Sequence, residues 1–527
     1  MDFNNILKII TICVLALHTG IANAQDADTI TSLPPKVERE VSRALQGSIC
    51  DPILDGNIIK TDFEAGATAG RGDFAPMWHF NNRQGAFSAD SEWAYARAAV
   101  EGKHVIKSQF GIEWGVDIIG GHNLTSSVFI QQAYADVRWR MLKLSVGQKE
   151  RWNYIQNARL STGALTESGN ARPIPQIRFE MPDYWNIPCF KDWVAIRGHI
   201  AYGWFTDGHW QKGFAADSTA RATGVRYHTK AGFLRIGNEK KFPLTAEIGL
   251  HMATQFGGTT YNAKHHAGEA FQNPTRFKDF LLAFIPLSGD SEYDSSDQMN
   301  VAGNVLGSWL GAITWNEEKW KLELNYEHAF NDHSQMFWEY GLWTEQLIGI
   351  AVEFKEFKWI RNVNDEYFNL KNQSGYHDST SQIPDQISCI DNNYNHGKYP
   401  GWFNYGQMIA TPLCTSPIYN KDHTLICYNN RVEAFHAGVE GDLLTWLDYR
   451  LLITHSNNWG TYKSPFKDIK NNTSGLVELT FKPMIPGGQW SITTSFAFDN
   501  GDLYGNNYGG MITIKRCGIY NISKERK

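Results

Sequence analysis

The stretch from Ser108 to Ile118 constrains the fold more than any other: Phe110, Ile112, Trp114, Val116 and Ile118 alternate with Gln109, Gly111, Glu113, Gly115 and Asp117. A period of two over several cycles is a β-strand. One face is wholly apolar, while the other carries carboxylates and glycines, which a soluble core would not accept. A wall between lipid and water requires that division. Leu244, Ala246, Ile248, Leu250 and Met252 alternating with Thr245, Glu247, Gly249 and His251 repeat the pattern, as do Trp320, Leu322, Leu324 and Tyr326 alternating with Lys321, Glu323, Asn325 and Glu327. Each run is about eight to eleven residues long, enough for a tilted strand to cross a bilayer.

Composition is consistent with a barrel. A mean hydropathy of -0.39 resembles that of a soluble protein, but a barrel turns every second strand residue toward a wet lumen and so never averages as hydrophobic. No Pro-rich, Ser-rich or charge-block linker divides the 527 residues, as expected of one large barrel. The formal net charge of -6 makes nucleic acid an unsuitable partner. The 19 Trp and 22 Tyr suit interfacial girdles and sugar-stacking surfaces alike.

In chain order, Lys8, the apolar run Ile9 to Leu17 and Ala22-Asn23-Ala24 read as a secretory signal peptide, residues 1–24. Residues 25–58 are expected to form a periplasmic helical segment, with Thr31 or Ser32 as cap, Pro34 and Pro35 in the first turn, and Val37, Val41 and Leu45 on one face. From Ile59 the period becomes two: Thr61 to Ala69, Ser91 to Val100, Val128 to Trp139, Leu142 to Gln148, Val194 to Trp204, Trp309 to Trp315, Trp490 to Phe498 and Tyr508 to Tyr520 all read as strands. Residues 59–520 are thus assigned to the barrel and 521–527 to a polar tail. Gly257 to Asp279 and Leu287 to Met299 read as outer loops. His265 and His266 near Glu269 invite a metal, but adjacent histidines point apart in an extended chain, so no metal or other cofactor is expected. Cys50, Cys189, Cys389, Cys414, Cys427 and Cys517 remain after cleavage, and Cys389, Cys414 and Cys427 are close enough in sequence for one bridge.

Two stretches break the rhythm. Leu160 to Ile177 holds two prolines and several small residues around Arg172, and Asn362 to Asn430 is rich in Asn, Tyr, Gly and Pro. Long irregular segments in a compact fold are usually functional. Aromatic rings stack on sugar faces, and amides and Arg bind hydroxyls and carboxylates. The competing expectation is that both segments fill the lumen, with Arg172 and Arg431 satisfying buried acids or carbonyls.

The run Asn170-Ala171-Arg172-Pro173-Ile174-Pro175-Gln176 resembles the signature of the Wzi-type capsule assembly proteins. The likeness continues in order through Gln373-Ser374-Gly375, Tyr394-Asn395, Tyr399, Gly401-Trp402, Thr411-Pro412-Leu413, Asn429-Asn430-Arg431-Val432 and Asn458-Trp459-Gly460-Thr461-Tyr462, spanning Ile59 to Tyr520. It implies an outer-membrane β-barrel that binds capsular polysaccharide, with Asn170, Arg172, Gln176, Gln373, Tyr394, Asn395, Trp402, Arg431, Asn458 and Trp459 as ligand-binding candidates.

Gly-x-Ser-x-Gly, His-Glu-x-x-His and phosphate-loop signatures are all missing from the sequence, so no enzyme is expected. The expectation is an all-β, antiparallel transmembrane barrel of about eighteen strands with a short N-terminal helical segment. It is placed in the outer membrane of a Gram-negative bacterium, with capsular or other surface polysaccharide, outer-membrane lipid and the barrel assembly machinery as partners and a monomer as its state. A porin-like channel for sugars or ions is the second reading. A secreted β-rich lectin or glycosidase is the third.

Overall fold

The computed structural model describes residues 57–107, 109–262, 268–285, 303–331, 336–338, 344–373, 377–378, 388–389, 392–485 and 488–521. The expected leader and N-terminal helix, and the tail beyond Asn521, lie outside them.

Eighteen antiparallel strands form the wall. They are β1 (Ile58–Arg71), β2 (Trp93–Lys107), β3 (Phe110–His122), β4 (Val128–Trp139), β5 (Leu142–Gln148), β6 (Gln176–Asn186), β7 (Val194–Trp204), β8 (Arg226–Ile236) and β9 (Leu244–Phe256). The wall continues with β10 (Asn304–Asn316), β11 (Trp320–Asn331), β12 (Gln346–Phe354), β13 (Asn362–Asn369), β14 (Val432–Leu444), β15 (Leu447–Gly460), β16 (Pro465–Phe481), β17 (Gln489–Gly501) and β18 (Asn507–Asn521). Each strand pairs with its sequence neighbour, and β18 closes on β1 from Ile58↔Asn521 to Arg71↔Tyr508. Closure removes the unpaired edges that lipid cannot tolerate.

Exposure is inverted relative to a soluble protein. In β3, Trp114, Val116 and Ile118 are exposed while Glu113 and Asp117 are buried. The buried acids are paired: Asp117 takes Arg97 of β2, and Asp136 of β4 takes Lys149 at 2.6 Å. A continuous outward apolar surface over inward charge is a lipid-facing wall. Trp139, Trp193, Phe242, Trp320, Trp359 and Trp446 lie exposed at the end where the chain enters and leaves the barrel, forming an aromatic girdle.

Connections at that end are short, and the long connections, 72–92, 149–175, 205–225, 257–303 and 370–431, all lie at the opposite, outer end. Three outer connections turn inward. Residues 72–92 carry α1 (Met77–Phe80), whose Trp78 bonds Thr454 of β15. Residues 149–175 cross the lumen, where Gln156 bonds Glu327 of β11 and Arg159 bonds Glu440 of β14. The described part of 370–431 packs over them, and Ser168 donates from its amide to the Ile409 carbonyl and from its hydroxyl to the Ala410 carbonyl, each at 2.8 Å. These insertions form the molecule's main apolar core, including Trp78, Phe80, Leu165, Trp402, Phe403 and Leu425.

Two expectations change. Asn362 to Asn369, assigned to the irregular stretch, is strand β13. Its inward face is Asn364, Glu366 and Phe368 and its outward face includes exposed Asp365, so polarity on both faces hides the alternation. No bridge joins Cys414 and Cys427, which are free, buried thiols. Cys427 instead donates to the Asn429 carbonyl at 3.3 Å, and burial pushes its pKa up to about 12.

Candidate functional site

Eight of the ten sequence-derived candidates fall into two hydrogen-bonded knots at the plug. The first joins the two large insertions. Trp402 donates from Nε1 to the Thr166 carbonyl at 2.9 Å, Tyr394 from its hydroxyl to the Leu165 carbonyl at 2.8 Å, and Asn170 from Nδ2 to the Met408 carbonyl at 2.9 Å. Trp402 and Asn170 have no solvent exposure. Asn395 mimics a strand, donating to the Cys427 carbonyl and accepting from the Cys427 amide, both at 2.9 Å.

The second knot ties the insertion to β14 and β15. Gln373 donates to the Asn430 carbonyl and accepts from the Asn393 amide, both at 3.0 Å. Arg431 donates from Nε to the Lys371 carbonyl at 2.9 Å, so the carbonyl-satisfying role foreseen for it is what the structure holds. Asn458 accepts from Asn429 and donates to the Lys470 carbonyl, and the Lys371 ammonium sits 4.6 Å from the centre of the Trp459 ring. Buried hydrogen-bonded networks of this kind rigidify and specify a packing arrangement.

Arg172 is different. Its guanidinium lies between the rings of Phe129 and Tyr405, 3.7 and 3.8 Å from their centroids, and Nη2 donates to the Thr125 hydroxyl at 2.7 Å. Burial pulls its pKa down to about 10, opposed by the Tyr405 phenol and the Asp207 carboxylate, so it stays cationic at neutral pH. Asp207 accepts from Gln211 at 3.0 Å and from the Tyr405 amide at 3.3 Å, and burial raises its pKa to about 6. Gln176 stands buried at the first residue of β6, beside a cavity of about 70 Å³ between plug and wall. That is far below the roughly 300–1,000 Å³ of a small-molecule pocket.

The outer face of the plug carries residues that sequence reasoning passed over. Helix α2 (Gly208–Phe214) stacks Trp210 on Phe214 at 4.8 Å and 14°, and Phe214 meets exposed His423 at 5.1 Å. Tyr405 covers Arg172 and bonds the Thr206 carbonyl at 3.0 Å. Arg221 lies 4.0 Å over Tyr261 on a small sheet formed by Arg221–Thr223, Thr259–Tyr261 and Ala270–Gln272. Trp210, Phe214, Tyr261 and Tyr405 are each half-buried, one part packed and one part wet. The i, i+4 spacing of Trp210 and Phe214 within a polar loop was the available signal. His265 and His266, the weak metal candidates, lie outside the described residues.

A closed wall with an outward apolar belt and inward ion pairs defines an outer-membrane β-barrel, here with its lumen filled by its own outer loops. No protein-family model and no curated protein sequence matches the chain. Among solved structures it is similar to Wzi of Escherichia coli, described as an outer-membrane, carbohydrate-binding β-barrel involved in group 1 capsule assembly. The TM-score is 0.52 at 11% identity, over 91% of this chain and 86% of that one. OccK3 of Pseudomonas aeruginosa and OccAB4 of Acinetobacter baumannii align with TM-scores of 0.46 and 0.44, each at 11% identity over 89% of this chain and 97% and 100% of theirs. At these identities the likeness is one of fold.

Proposed function

We propose that the protein binds a surface polysaccharide on the outer face of its plugged barrel and supports capsule assembly there, without catalysis. The observation that carries this reading is the filled lumen. Among the described residues, insertions bonded to inward residues of β11, β14 and β15 occupy the lumen under an aromatic-bearing outer surface. A porin needs an open lumen. Flat rings with wet edges beside the Arg221 guanidinium are suited to sugar faces and acidic substituents. The fold is one on which carbohydrate binding occurs, as the description of Wzi states.

The test replaces Trp210 and Tyr405 by Ala, singly and together, in the encapsulated host. Heat-modifiable gel migration should remain as in the parent, while capsule is released into the medium and the purified barrel loses glycan binding. Retention of capsule and of glycan binding by the double variant would remove the site from this face.

A further inference from the structure

We infer that plug and wall together form a binding site for a divalent first-row transition-metal ion, zinc by its donor set, held by Glu167, His199, Thr229 and His251. The site follows from strand register. His199 of β7 and His251 of β9 are both register partners of Ala231 in β8, so two inward imidazoles flank one methyl group on a single rung. The small residue leaves the rings room to converge, and their centroids are 5.7 Å apart at 78°. Thr229 lies two residues along β8 and so on the same face. Its hydroxyl is 3.2 Å from His199 Nε2, 3.1 Å from His251 Nε2 and 2.8 Å from Glu167 Oε2. Glu167 comes from the plug and lies 2.6 Å from His251 Nε2. The nearest ligand atoms of the Glu and the two His all fall within 4.8 Å of one another.

Donors at zinc bond lengths of about 2.0–2.1 Å in a tetrahedron stand about 3.3 Å apart. The hydrogen bonds already holding these atoms could therefore be exchanged for metal bonds with small shifts. Outer partners are also in place. Tyr154 Oη is 2.5 Å from His199 Nδ1, where it receives the N–H left when Nε2 faces a metal, and Tyr227 donates to Glu167 Oε1 at 2.5 Å. The nearby cation Arg178 is matched by Glu180, with Nε 2.7 Å from Oε2. Glu167, His199 and His251 line the cavity between plug and wall. A bound ion would pin the 149–175 insertion to three consecutive strands, a role separate from glycan binding at the outer face.

The test uses the full mature barrel in detergent, stripped with a chelator and titrated with Co2+. The expected result is one equivalent bound, with the intense visible bands of a tetrahedral centre, displaced by Zn2+ and accompanied by a rise in thermal unfolding temperature. His251→Ala and His199→Ala should lose the bands, and Tyr227→Phe should weaken binding about 10- to 100-fold. A parent without tetrahedral bands overturns the inference, as does uptake that survives both histidine substitutions, the signature of scattered surface sites. Should the alanine variants fail to insert, the parent spectrum and the Tyr227→Phe affinity decide: unchanged affinity in that variant also overturns it.

Discussion

Trp402→Ala probes the joint that closes the lumen. The indole has no solvent exposure, lies 6.0 Å from the Tyr227 ring of the wall and donates to the Thr166 carbonyl of the other insertion. Truncating a buried Trp in a tightly packed site costs about 3–5 kcal/mol. The stranded Thr166 carbonyl adds about 1–3 kcal/mol unless water reaches it. The wall's own ladder is untouched, so the cost falls on docking of the plug and not on closure of the barrel. A loss of about 4 kcal/mol in local opening free energy raises hydrogen exchange of plug amides by roughly 10³-fold, at about 1.4 kcal/mol per factor of ten. Hydrogen-exchange mass spectrometry on detergent-solubilised barrels would read this on peptides covering 392–431, with β16 peptides as the internal control. Plug exchange within about threefold of the parent would refute the idea that Trp402 is the joint.

Other outcomes follow from the same geometry. Ile248→Arg, at an exposed outward position, should reduce assembled barrel by a mid-bilayer cost of about 2–4 kcal/mol, whereas Leu250→Arg should act through packing because Leu250 is partly buried against the Met252, Val305 and Phe330 cluster; equal yields of parent and Ile248→Arg would end the lipid-facing assignment. Asp207, with its pKa raised to about 6 from 3.8, holds a proton in the folded state that the unfolded chain has lost. Its contribution to stability therefore falls as pH rises through that window, and Asp207→Asn should gain on the parent in urea-unfolding midpoint between pH 4 and pH 7; a pH-independent difference contradicts this. Gly406→Ala should disorder the outer aromatic platform, since φ is +77° and a Cβ there would lie 2.4 Å from Trp210; unchanged indole fluorescence would count against it. In planar bilayers the parent should show no sustained single-channel steps, and stable large steps would favour a channel.

The segments that carry the resemblance pack into the plug, and the surroundings of their individual residues differ from those expected. Trp402, chosen as a stacking face, has both faces packed, and Arg431 serves a main-chain carbonyl. Arg172, which was expected to meet either a sugar acid or a buried one, is instead clasped by two rings and a hydroxyl. From sequence the amide-rich and aromatic composition of a plug is indistinguishable from that of a glycan site, because both must satisfy many polar groups beside flat apolar surface.

The sequence by itself determined the wall. Alternation is a local property: each strand writes its lipid and lumen faces into neighbouring residues, so β3, β9 and β11 were legible one at a time. It was not read for β6, β8, β12, β14, β15 and β16, and at Asn364, Asp365 and Glu366 of β13 polarity on both faces hides it. Tertiary structure decided everything that depends on which strands and loops meet. The Trp402–Thr166 joint spans 236 residues, and the outer platform brings Trp210 and Tyr405 together from separate loops. The convergence of His199 and His251 depends on the register of two strand pairs about Ala231. A shift of one residue in either pair would turn one imidazole toward lipid, and no local sequence signal fixes that register, because it is set by closure of the whole barrel.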